Sequence, residues 1–223
     1  MNTRNLVIVI AAVALGGFAV SALVFQRPPP IEPNSTVSSV FEESVLERAY
    51  SPSFGPKDAP VTVVEFFDPS CEACRAFHPT VKEILAAYPE DVRVVIRYTP
   101  FHEGSDVVVR LLEAARLQGV YEPVLEAVLE SQPKWAKHGS PQLELAFQSA
   151  ATAGLDVEKA RKFMTLPDIT SILMQDKADV KAVGVKGTPT FFVNGKPLPQ
   201  FGREELREFV DGEVAAARAN VRR

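Results

Sequence analysis

The amino-acid sequence predicts an α/β fold made of a β-α-β unit, a long helical block and a closing β-β-α unit, behind an apolar N-terminal segment. Two runs rich in β-branched and aromatic residues flank a helical pattern, and a two-residue hairpin signal lies near the end of the chain. The 223 residues are 46% apolar and 23% charged, a composition typical of globular proteins. Phosphate binding requires a concentrated excess of Lys and Arg, whereas the net charge of this chain is −4. The composition therefore argues against a nucleic-acid partner.

The N-terminal segment is long and apolar enough to cross a membrane. The run from Leu6 to Phe25 contains no charge, and its 20 residues span about 30 Å as a helix. We expect residues 1–27 to be an uncleaved anchor, because the apolar run continues past Val20-Ser21-Ala22, where an export signal would be cut. The protein is then a single-pass inner-membrane protein with its catalytic domain on the periplasmic or extracellular side. A cleaved signal would instead give a soluble periplasmic protein, and a disulfide persists in either location.

Residues 28–53 are predicted to link this segment to the folded domain. Pro28-Pro29-Pro30 begins an extended, polyproline-like spacer. Residues 36–50 carry apolar groups at helical spacing, which predicts a short helix that packs on its own domain or serves as an oligomerisation stalk. Residues 51–59 are predicted to form a loop.

Residues 54–102 form the predicted β-α-β unit. Val61–Phe67 is rich in β-branched and aromatic residues, and the pattern indicates a buried strand. The helical stretch that follows, from about Cys71 to Tyr88, contains Pro79, which we expect to kink the helix. Val92–Tyr98 is predicted to be the second strand.

Residues 103–183 are helical by pattern and are predicted to form an inserted helical domain. Residues 184–217 then form the closing β-β-α unit of the predicted α/β fold. Asn194-Gly195 is a strong hairpin signal between two short strands, and an amphipathic helix from Arg203 to Ala217 follows them. Residues 218–223 are predicted to be a tail.

The sequence Cys71-Glu72-Ala73-Cys74 is the main chemical signal. Within one helical turn the two Cα atoms lie about 5.5 Å apart, a separation that a disulfide tolerates. So short a loop gains only about 2 kcal/mol from loop-closure entropy, so stability does not explain the bond. A redox-active disulfide, which forms and breaks during function, does explain this spacing. A helix N-terminus favours a thiolate on Cys71, the more exposed thiol by position.

Haem attachment and a Cys₄ zinc site do not fit this cysteine pair. Position 75 is Arg, whereas covalent haem attachment needs His there, and two cysteines are too few for a Cys₄ zinc site. His78 follows Cys74 by one turn, so a module that binds copper or clients through the dithiol and His78, without turnover, is the alternative function. We predict no metal site, and we assign no catalytic role to His102 or His138.

Two further residues stand out in the strands. Glu65 lies in the middle of an apolar strand, where burial raises the pKa of a carboxyl. It either points to solvent from a strand edge or exchanges a proton with Cys74 beneath the dithiol. Pro189 stands just before a strand, and the bond before a proline is where a cis peptide becomes accessible.

These blocks together carry a family resemblance. APVTVVEFFDPSCEACRAFHP, the helical insertion and VKGTPTFFVNGKPLP resemble the DsbA-like branch of the thioredoxin superfamily, over roughly residues 54–217. The resemblance implies a thioredoxin fold with an inserted helical domain and a thiol:disulfide oxidoreductase activity that needs no organic cofactor. The implied partners are cysteine-containing extracytoplasmic proteins and a membrane redox partner that regenerates the enzyme.

The resemblance also implies roles for individual residues. Cys71 is the nucleophilic cysteine and Cys74 the resolving one, with Glu65 as the buried acid. Pro189 is the cis-proline that faces the dithiol, and Thr188 offers its backbone to an extended substrate.

Glu72 and Ala73 are a departure from the family pattern. The best-known DsbA oxidants resemble Cys-Pro-His-Cys, in which a protonated histidine helps the thiolate, whereas the Glu72 carboxylate opposes it. We therefore expect these two residues to tune the dithiol toward a less acidic Cys71 and a weaker oxidant. The direction of electron flow, as oxidase, reductase or isomerase, stays open at this stage.

Overall fold

The computed structural model describes residues 45–221, which form a mixed five-stranded sheet with helices on both faces. The strands are β1 (Ser53–Phe54), β2 (Val61–Phe67), β3 (Val92–Tyr98), β4 (Thr190–Val193) and β5 (Lys196–Pro197). Their order in the sheet is β1-β3-β2-β4-β5. β2 and β3 are parallel, whereas the other neighbouring pairs are antiparallel. The predicted β-α-β and β-β units therefore join in one sheet.

Helices lie on both faces of the sheet, and most of them share one continuous core with one face. They are α1 (Glu72–Ala87), α2 (Ser105–Leu117), α3 (Tyr121–Trp135), α4 (Leu143–Thr152), α5 (Val157–Phe163), α6 (Pro167–Val183) and α7 (Arg203–Val221). The main apolar cluster joins Val63 of β2, Phe77 of α1, Leu112 of α2, Trp135 of α3 and Val210 of α7. Since the helices of the insertion share this cluster, they are packed directly against the elements that carry the cysteines.

The other face of the sheet is covered by α6 and by the start of the described chain. A second apolar cluster there joins Leu46, Val64, Phe66, Val95 and Val180. The side chains of β2 therefore alternate between two buried faces, which explains why its sequence is a continuous apolar run.

Arg97 on β3 holds this second face together. Its side chain is fully buried, and its guanidinium lies 2.9 Å from Asp176 and 2.6 Å from Asp179, both on α6. The same guanidinium donates hydrogen bonds to the carbonyl oxygens of Val45 and Leu46. The ion pairs thus tie α6 and residues 45–46 to the sheet.

Several predicted boundaries are confirmed and others need correction. β2 and β3 have the predicted ends, and Pro79 lies inside α1. The loop predicted over 51–59 contains β1, which pairs with β3 because an edge position was free there. In the predicted helix over 36–50, only residues 45 and 46 of the described part are helical.

The last helix is longer than predicted. α7 continues to Val221 instead of ending at Ala217, and Arg218 forms an ion pair with Asp91 at 2.6 Å and lies over the ring of Tyr88. These contacts explain why part of the predicted tail is helical. The predicted membrane segment and spacer, up to residue 44, lie outside the described residues. Within residues 45–221, no helix is both long and apolar enough to span a membrane.

Candidate active site

The two cysteines lie at the start of α1, as the motif predicts. Cys71 is the N-cap residue in an extended conformation, so its sulfur stands at the positive end of the helix dipole. Cys74 is in the first turn, and both cysteines are free thiols. Cys71 keeps 7% of its surface exposed and Cys74 keeps none, which confirms that Cys71 is the more accessible of the two.

The surroundings of Cys71 favour its thiolate. The Cys71 pKa is lowered to about 5, chiefly because the Cys74 thiol donates a hydrogen bond to it, with further donation from the backbone N–H groups of Cys74 and Ala73. Burial acts in the opposite direction but does not cancel these contacts. Glu72 and Ala73 therefore act differently: Ala73 contributes an N–H group, whereas Glu72 contributes a negative charge.

The surroundings of Cys74 favour its protonated form. Burial raises the Cys74 pKa most, and the hydrogen bond to Cys71 and the charge of Glu65 raise it further. The backbone N–H of Asp68 donates to the Cys74 sulfur at 3.5 Å, which is a weak opposing contact. The pair is thus polarised, with one thiol ready to ionise and the other held neutral.

Glu65 is buried beneath this pair and does not point to solvent. It is 2% exposed on β2, and its Oε1 atom has no hydrogen-bond partner among the described residues. Burial, and then the charge of Cys71, raise the Glu65 pKa to about 8. The carboxyl therefore titrates near neutral pH, which is the range in which an acid can both take up and release protons.

The loop before β4 lies against Cys71. The Thr188–Pro189 peptide bond is cis, and the Cys71 sulfur lies 3.1 Å from the carbonyl oxygen of Thr188. Pro189 is buried and Thr188 is half-buried. The structure therefore brings Cys71, Cys74, Glu65, Thr188 and Pro189 together, although they come from three separate parts of the chain.

Asp68 is a buried carboxylate near the cysteines that the sequence analysis missed. It accepts hydrogen bonds from the backbone N–H groups of Ser70 and Phe101, both at 2.8 Å, and from that of His102 at 3.0 Å. The Ser105 hydroxyl donates to it at 2.5 Å, and the Nδ1 atom of His102 lies 2.7 Å away. Asp68 thereby joins the loop before Cys71 to the loop that begins α2.

Gln132 also supports the site from the inserted helices. This fully buried side chain of α3 donates to the carbonyl oxygens of Pro69 at 2.8 Å and Cys71 at 3.0 Å. Its own carbonyl accepts from Arg75 at 2.9 Å. A glutamine in a helical pattern carries no signal of such a role, because the residues that it contacts are more than fifty positions away in sequence.

Two histidines lie beside the site, although no pattern in the sequence assigns them a role. The Nε2 atom of His138 lies 2.8 Å from the Glu72 carboxylate, and the rings of His138 and His102 are 5.8 Å apart. The Glu72 pKa is lowered first by a hydrogen bond from its own backbone N–H and then by His138. The negative charge of Glu72, close to Cys71, is therefore partly balanced by His138, which belongs to the insertion.

The third histidine is not part of the dithiol site. The Nε2 atom of His78 lies 2.9 Å from Glu126 on α3. Among residues 45–221, no group of three or more His, Cys, Asp or Glu side chains is placed to hold a metal ion. A metal site built from the two cysteines and His78 therefore has no support in this part of the chain.

The fold and the site together define the class of protein as a thioredoxin-fold protein with a reactive dithiol. A family model described as thioredoxin matches residues 47–212, which is more than half of the chain. The chain therefore belongs to the thioredoxin family, and it is similar to the DsbA-like thiol:disulfide oxidoreductases.

Several individual proteins are similar to this chain. A solved structure of a thioredoxin-like oxidoreductase from Silicibacter pomeroyi is 32% identical, with a TM-score of 0.67, over 79% of this chain and 97% of that one. The thiol:disulfide interchange protein DsbA of Pseudomonas syringae is 29% identical over 97% of this chain and 99% of that protein. The Na(+)/H(+) antiporter NhaA of Herminiimonas arsenicoxydans is 33% identical over 69% of this chain, which spans only 24% of that protein.

Proposed function

We propose that this protein exchanges disulfides with cysteine-containing proteins outside the cytoplasm, through Cys71 and Cys74. The opposite tuning of the two thiols supports this most, since the Cys71 pKa is lowered to about 5 while that of Cys74 is raised. At neutral pH, Cys71 is therefore the thiolate that reacts with a disulfide, and Cys74 waits in its protonated form. The chemistry needs no organic cofactor.

In the reducing direction, the Cys71 thiolate attacks one sulfur of a client disulfide. A mixed disulfide forms, and the other client sulfur leaves as a thiolate. Cys74 then transfers its proton to the Glu65 carboxylate and attacks the Cys71 sulfur. The Cys71–Cys74 bond forms and the bond to the client breaks, which leaves the client with two thiols.

In the oxidising direction, the same steps run backwards. A client thiolate attacks the Cys71 sulfur of the disulfide, and Cys74 leaves with a proton supplied by the Glu65 carboxyl. A second client thiolate attacks the client sulfur of the mixed disulfide, which gives an oxidised client and a Cys71 thiolate. Glu65 thus serves as proton acceptor in one direction and proton donor in the other.

Clients are proposed to bind as extended segments beside Thr188. Its carbonyl oxygen lies next to the Cys71 sulfur, where the backbone of a strand-like peptide would pair with the cis-proline loop. Phe201, which is 61% exposed, packs on Phe77 of α1. Phe101, which is 49% exposed, follows β3, and its backbone N–H donates to Asp68. These rings offer apolar contact area to unfolded clients.

The direction of electron flow depends on the stability of the Cys71 thiolate. A pKa of about 5 lies between the values of thioredoxin, about 7, and DsbA, about 3.5. We therefore expect a reduction potential between about −270 mV and about −120 mV, and a weaker oxidant than DsbA. Ala73 supplies a backbone N–H group that favours the thiolate. The Glu72 carboxylate is proposed to disfavour it by its negative charge.

The protein is further proposed to work at the outer side of the inner membrane, held there by its apolar N-terminal segment. A disulfide formed by Cys71 and Cys74 persists only in an oxidising compartment. Each turnover leaves the dithiol in the wrong redox state for the next one, so a membrane redox partner must regenerate it. N-terminal sequencing of the mature protein tests the anchor, since a start at Leu23 would show that the segment is cleaved.

A trapping experiment tests the two cysteine roles. Cys74→Ala should accumulate mixed disulfides with client proteins, because Cys71 still attacks but nothing resolves the bond. Cys71→Ala should neither turn over nor trap clients. If Cys74→Ala captures no client, or captures as few as Cys71→Ala does, the proposed roles are wrong. Equilibration of the dithiol with glutathione gives the potential, and a pair that stays in one redox state at all ratios contradicts the proposed function.

A further inference from the structure

A small hollow lies beside the dithiol, where the loop before α1 meets the loop after β3 and the loop after α3. Its volume is about 50 Å³, and its lining includes Ser70, His102 and His138. The two imidazole rings lie with their centroids 5.8 Å apart. Ser70 directly precedes Cys71, and the Nε2 atom of His138 lies 2.8 Å from Glu72, which directly follows it. The hollow therefore brings two histidines to the residues on either side of Cys71.

The Asp68 carboxylate fixes the orientation and the tautomer of His102. Its Oδ2 atom lies 2.7 Å from Nδ1 of the ring and accepts from the backbone N–H of the same residue at 3.0 Å. Its Oδ1 atom accepts from the backbone N–H of Ser70 at 2.8 Å and from the Ser105 hydroxyl at 2.5 Å. An ionised carboxylate only accepts hydrogen bonds, so Nδ1 of His102 is the donor and carries a proton. The ring therefore gains and loses its second proton at Nε2.

The surroundings of His102 favour its protonated, positively charged form. Burial lowers the His102 pKa, but the hydrogen bond and the charge of Asp68 raise it, and the charges of Cys71 and Glu72 raise it further, to above its ordinary value. The side chain is 31% exposed, so it can exchange protons with water. The other ionisable side chains that line the hollow are His138, Glu103 and Lys137, of which the last two carry opposite charges.

The Cys-x-x-Cys motif itself supplies no cation to Cys71. Glu72 and Ala73 stand between the cysteines, and Arg75, the next cation along α1, donates from Nε to the Gln132 side chain at 2.9 Å. The charge of Cys71 favours protonation of His102, as described above. Coupling between two sites is reciprocal, so the protonated imidazole must favour the Cys71 thiolate by the same free energy.

We propose that His102, held by Asp68, is the cation that stabilises the Cys71 thiolate, and that reduction of the dithiol is coupled to protonation of His102. The inference rests on the proposed function, because it concerns the same exchange with client thiols. When a client dithiol reduces the protein, the Cys71–Cys74 bond breaks and a disulfide forms in the client. The client gives up two electrons and two protons, of which one proton ends on Cys74.

The second proton is bound by His102, because Cys71 stays ionised. This uptake occurs at Nε2, at a pH between the His102 pKa of the oxidised protein and that of the reduced protein. In the oxidising direction, the same proton is released from His102 when the client disulfide is formed and the dithiol is regenerated as a disulfide by its redox partner in reverse order. Asp68 is a positioning residue in this scheme, since it acts on Cys71 only through the imidazole that it holds.

The coupling predicts two reciprocal pKa shifts in the full-length protein. The ring resonances that disappear from the NMR spectrum in His102→Gln identify His102. Its pKa should be roughly one pH unit higher in the reduced protein than in the oxidised protein, at the low end of the effect of a nearby opposite charge. The Cys71 pKa, followed by thiolate absorbance, should be higher by a similar amount in His102→Gln than in the unmodified protein.

His102→Lys separates the charge of the side chain from its shape. Lysine stays protonated over the whole range, so the Cys71 pKa in this variant should stay close to that of the unmodified protein. The matched control is His78→Gln, the same substitution at a histidine that contacts Glu126 and not the dithiol. It should leave the Cys71 pKa unchanged.

Three results would overturn the proposal: equal His102 pKa values in the oxidised and reduced protein, an unchanged Cys71 pKa in His102→Gln, or a Cys71 pKa raised as much by His102→Lys as by His102→Gln. The comparison of oxidised with reduced protein uses the unmodified chain, so it decides even if a variant does not fold. Failure of the proposed function is a separate outcome, and it would appear as a dithiol that does not exchange with glutathione in the unmodified protein.

Discussion

Two buried charged residues on adjacent strands face opposite sides of the same sheet. Glu65 of β2 is paired in register with Ile96, and Arg97 is the next residue along β3. Arg97 contacts Asp176, Asp179 and two carbonyl oxygens, whereas the Oε1 atom of Glu65 has no partner among the described residues. The paired charge of Arg97 therefore stabilises the structure, whereas the unpaired carboxyl of Glu65 is free to change its protonation state.

Solvation explains the difference between the two faces. Removing an ion from water is costly, and Arg97 recovers that cost only because several hydrogen bonds and two carboxylates surround it. Glu65 recovers nothing in this way, so its neutral form is favoured and its pKa is raised to about 8. The comparison therefore predicts that Arg97 contributes to stability through its ion pairs and hydrogen bonds, whereas Glu65 makes stability depend on pH near neutrality.

The largest effect near neutral pH is expected on the Arg97 face. Arg97→Met leaves the buried Asp176 carboxylate without its cation and removes one of the two arginines that contact Asp179, the other being Arg48. It should lower the free energy of unfolding by about 3–5 kcal/mol, measured by urea denaturation. Arg161→Met is the matched control, since that arginine lies in an exposed ion pair, and it should change stability by less than about 1 kcal/mol.

If Arg97→Met does not fold, Arg97→Lys provides the measurement, because lysine keeps the charge but has fewer donors. The lysine variant should still be clearly less stable than the unmodified protein. Equal stability for Arg97→Lys, or a loss in Arg97→Met no larger than in Arg161→Met, would contradict the structural role of this network.

The next effect is a pH dependence that Glu65 introduces. Its pKa is 4.5 in the unfolded chain and about 8 in the fold, so the folded state binds the proton more tightly. Stability from this group is complete below pH 4.5 and is lost as the pH rises through about 8. The advantage of Glu65→Gln over the reduced unmodified protein should grow between these limits and reach on the order of 5 kcal/mol above pH 8.

Denaturation of both proteins at several pH values checks this prediction. The difference between them should grow steadily from acidic to alkaline pH and then level off. A difference that does not depend on pH would mean that Glu65 is ionised normally in the fold, and the proton role proposed for it would then lose its basis.

A smaller effect is expected at Gln132, a buried polar residue that is neutral and fully hydrogen-bonded. Gln132→Ala leaves the carbonyl oxygens of Pro69 and Cys71 without their donor and should cost about 1–3 kcal/mol. Gln148→Ala, at an exposed glutamine of α4, is the matched control and should change stability by less than about 0.5 kcal/mol. Denaturation curves that coincide for the two variants would mean that Gln132 does not support the site.

The smallest effect is expected from the exposed pair beside Cys71. Glu72→Gln removes a nearby negative charge and should lower the Cys71 pKa, whereas His138→Gln removes its balancing partner and should raise it. Exposed pairs contribute less than about 1 kcal/mol, so each shift should be below about 0.7 pH units. Thiolate absorbance measures both, and the shifts should shrink at high salt. Shifts of the same sign would contradict the pairing.

The local patterns of the sequence were sufficient for the central elements of the fold. β2, β3 and the β4–β5 hairpin follow from runs of β-branched residues and from Asn194-Gly195, because strand and turn preferences act over a few neighbouring residues. β1 was missed since two residues carry no pattern, and they become a strand only because β3 offers an edge. The end of α7 depends on contacts with Asp91 and Tyr88 that lie far away in sequence.

The reactive groups of this protein can be recognised along the chain: two cysteines one helical turn apart, an acid in an apolar strand and a proline before the last hairpin. The groups that set their reactivity can be recognised only in the folded protein. Gln132 and His138 come close to the dithiol because helices of the insertion pack against α1, whereas Asp68 is held by the residues that precede α2. The hollow lined by His102 and His138 likewise exists only because three separate loops meet there. Electrostatic interactions depend on distance in space and on burial, and neither can be read from spacing along a chain.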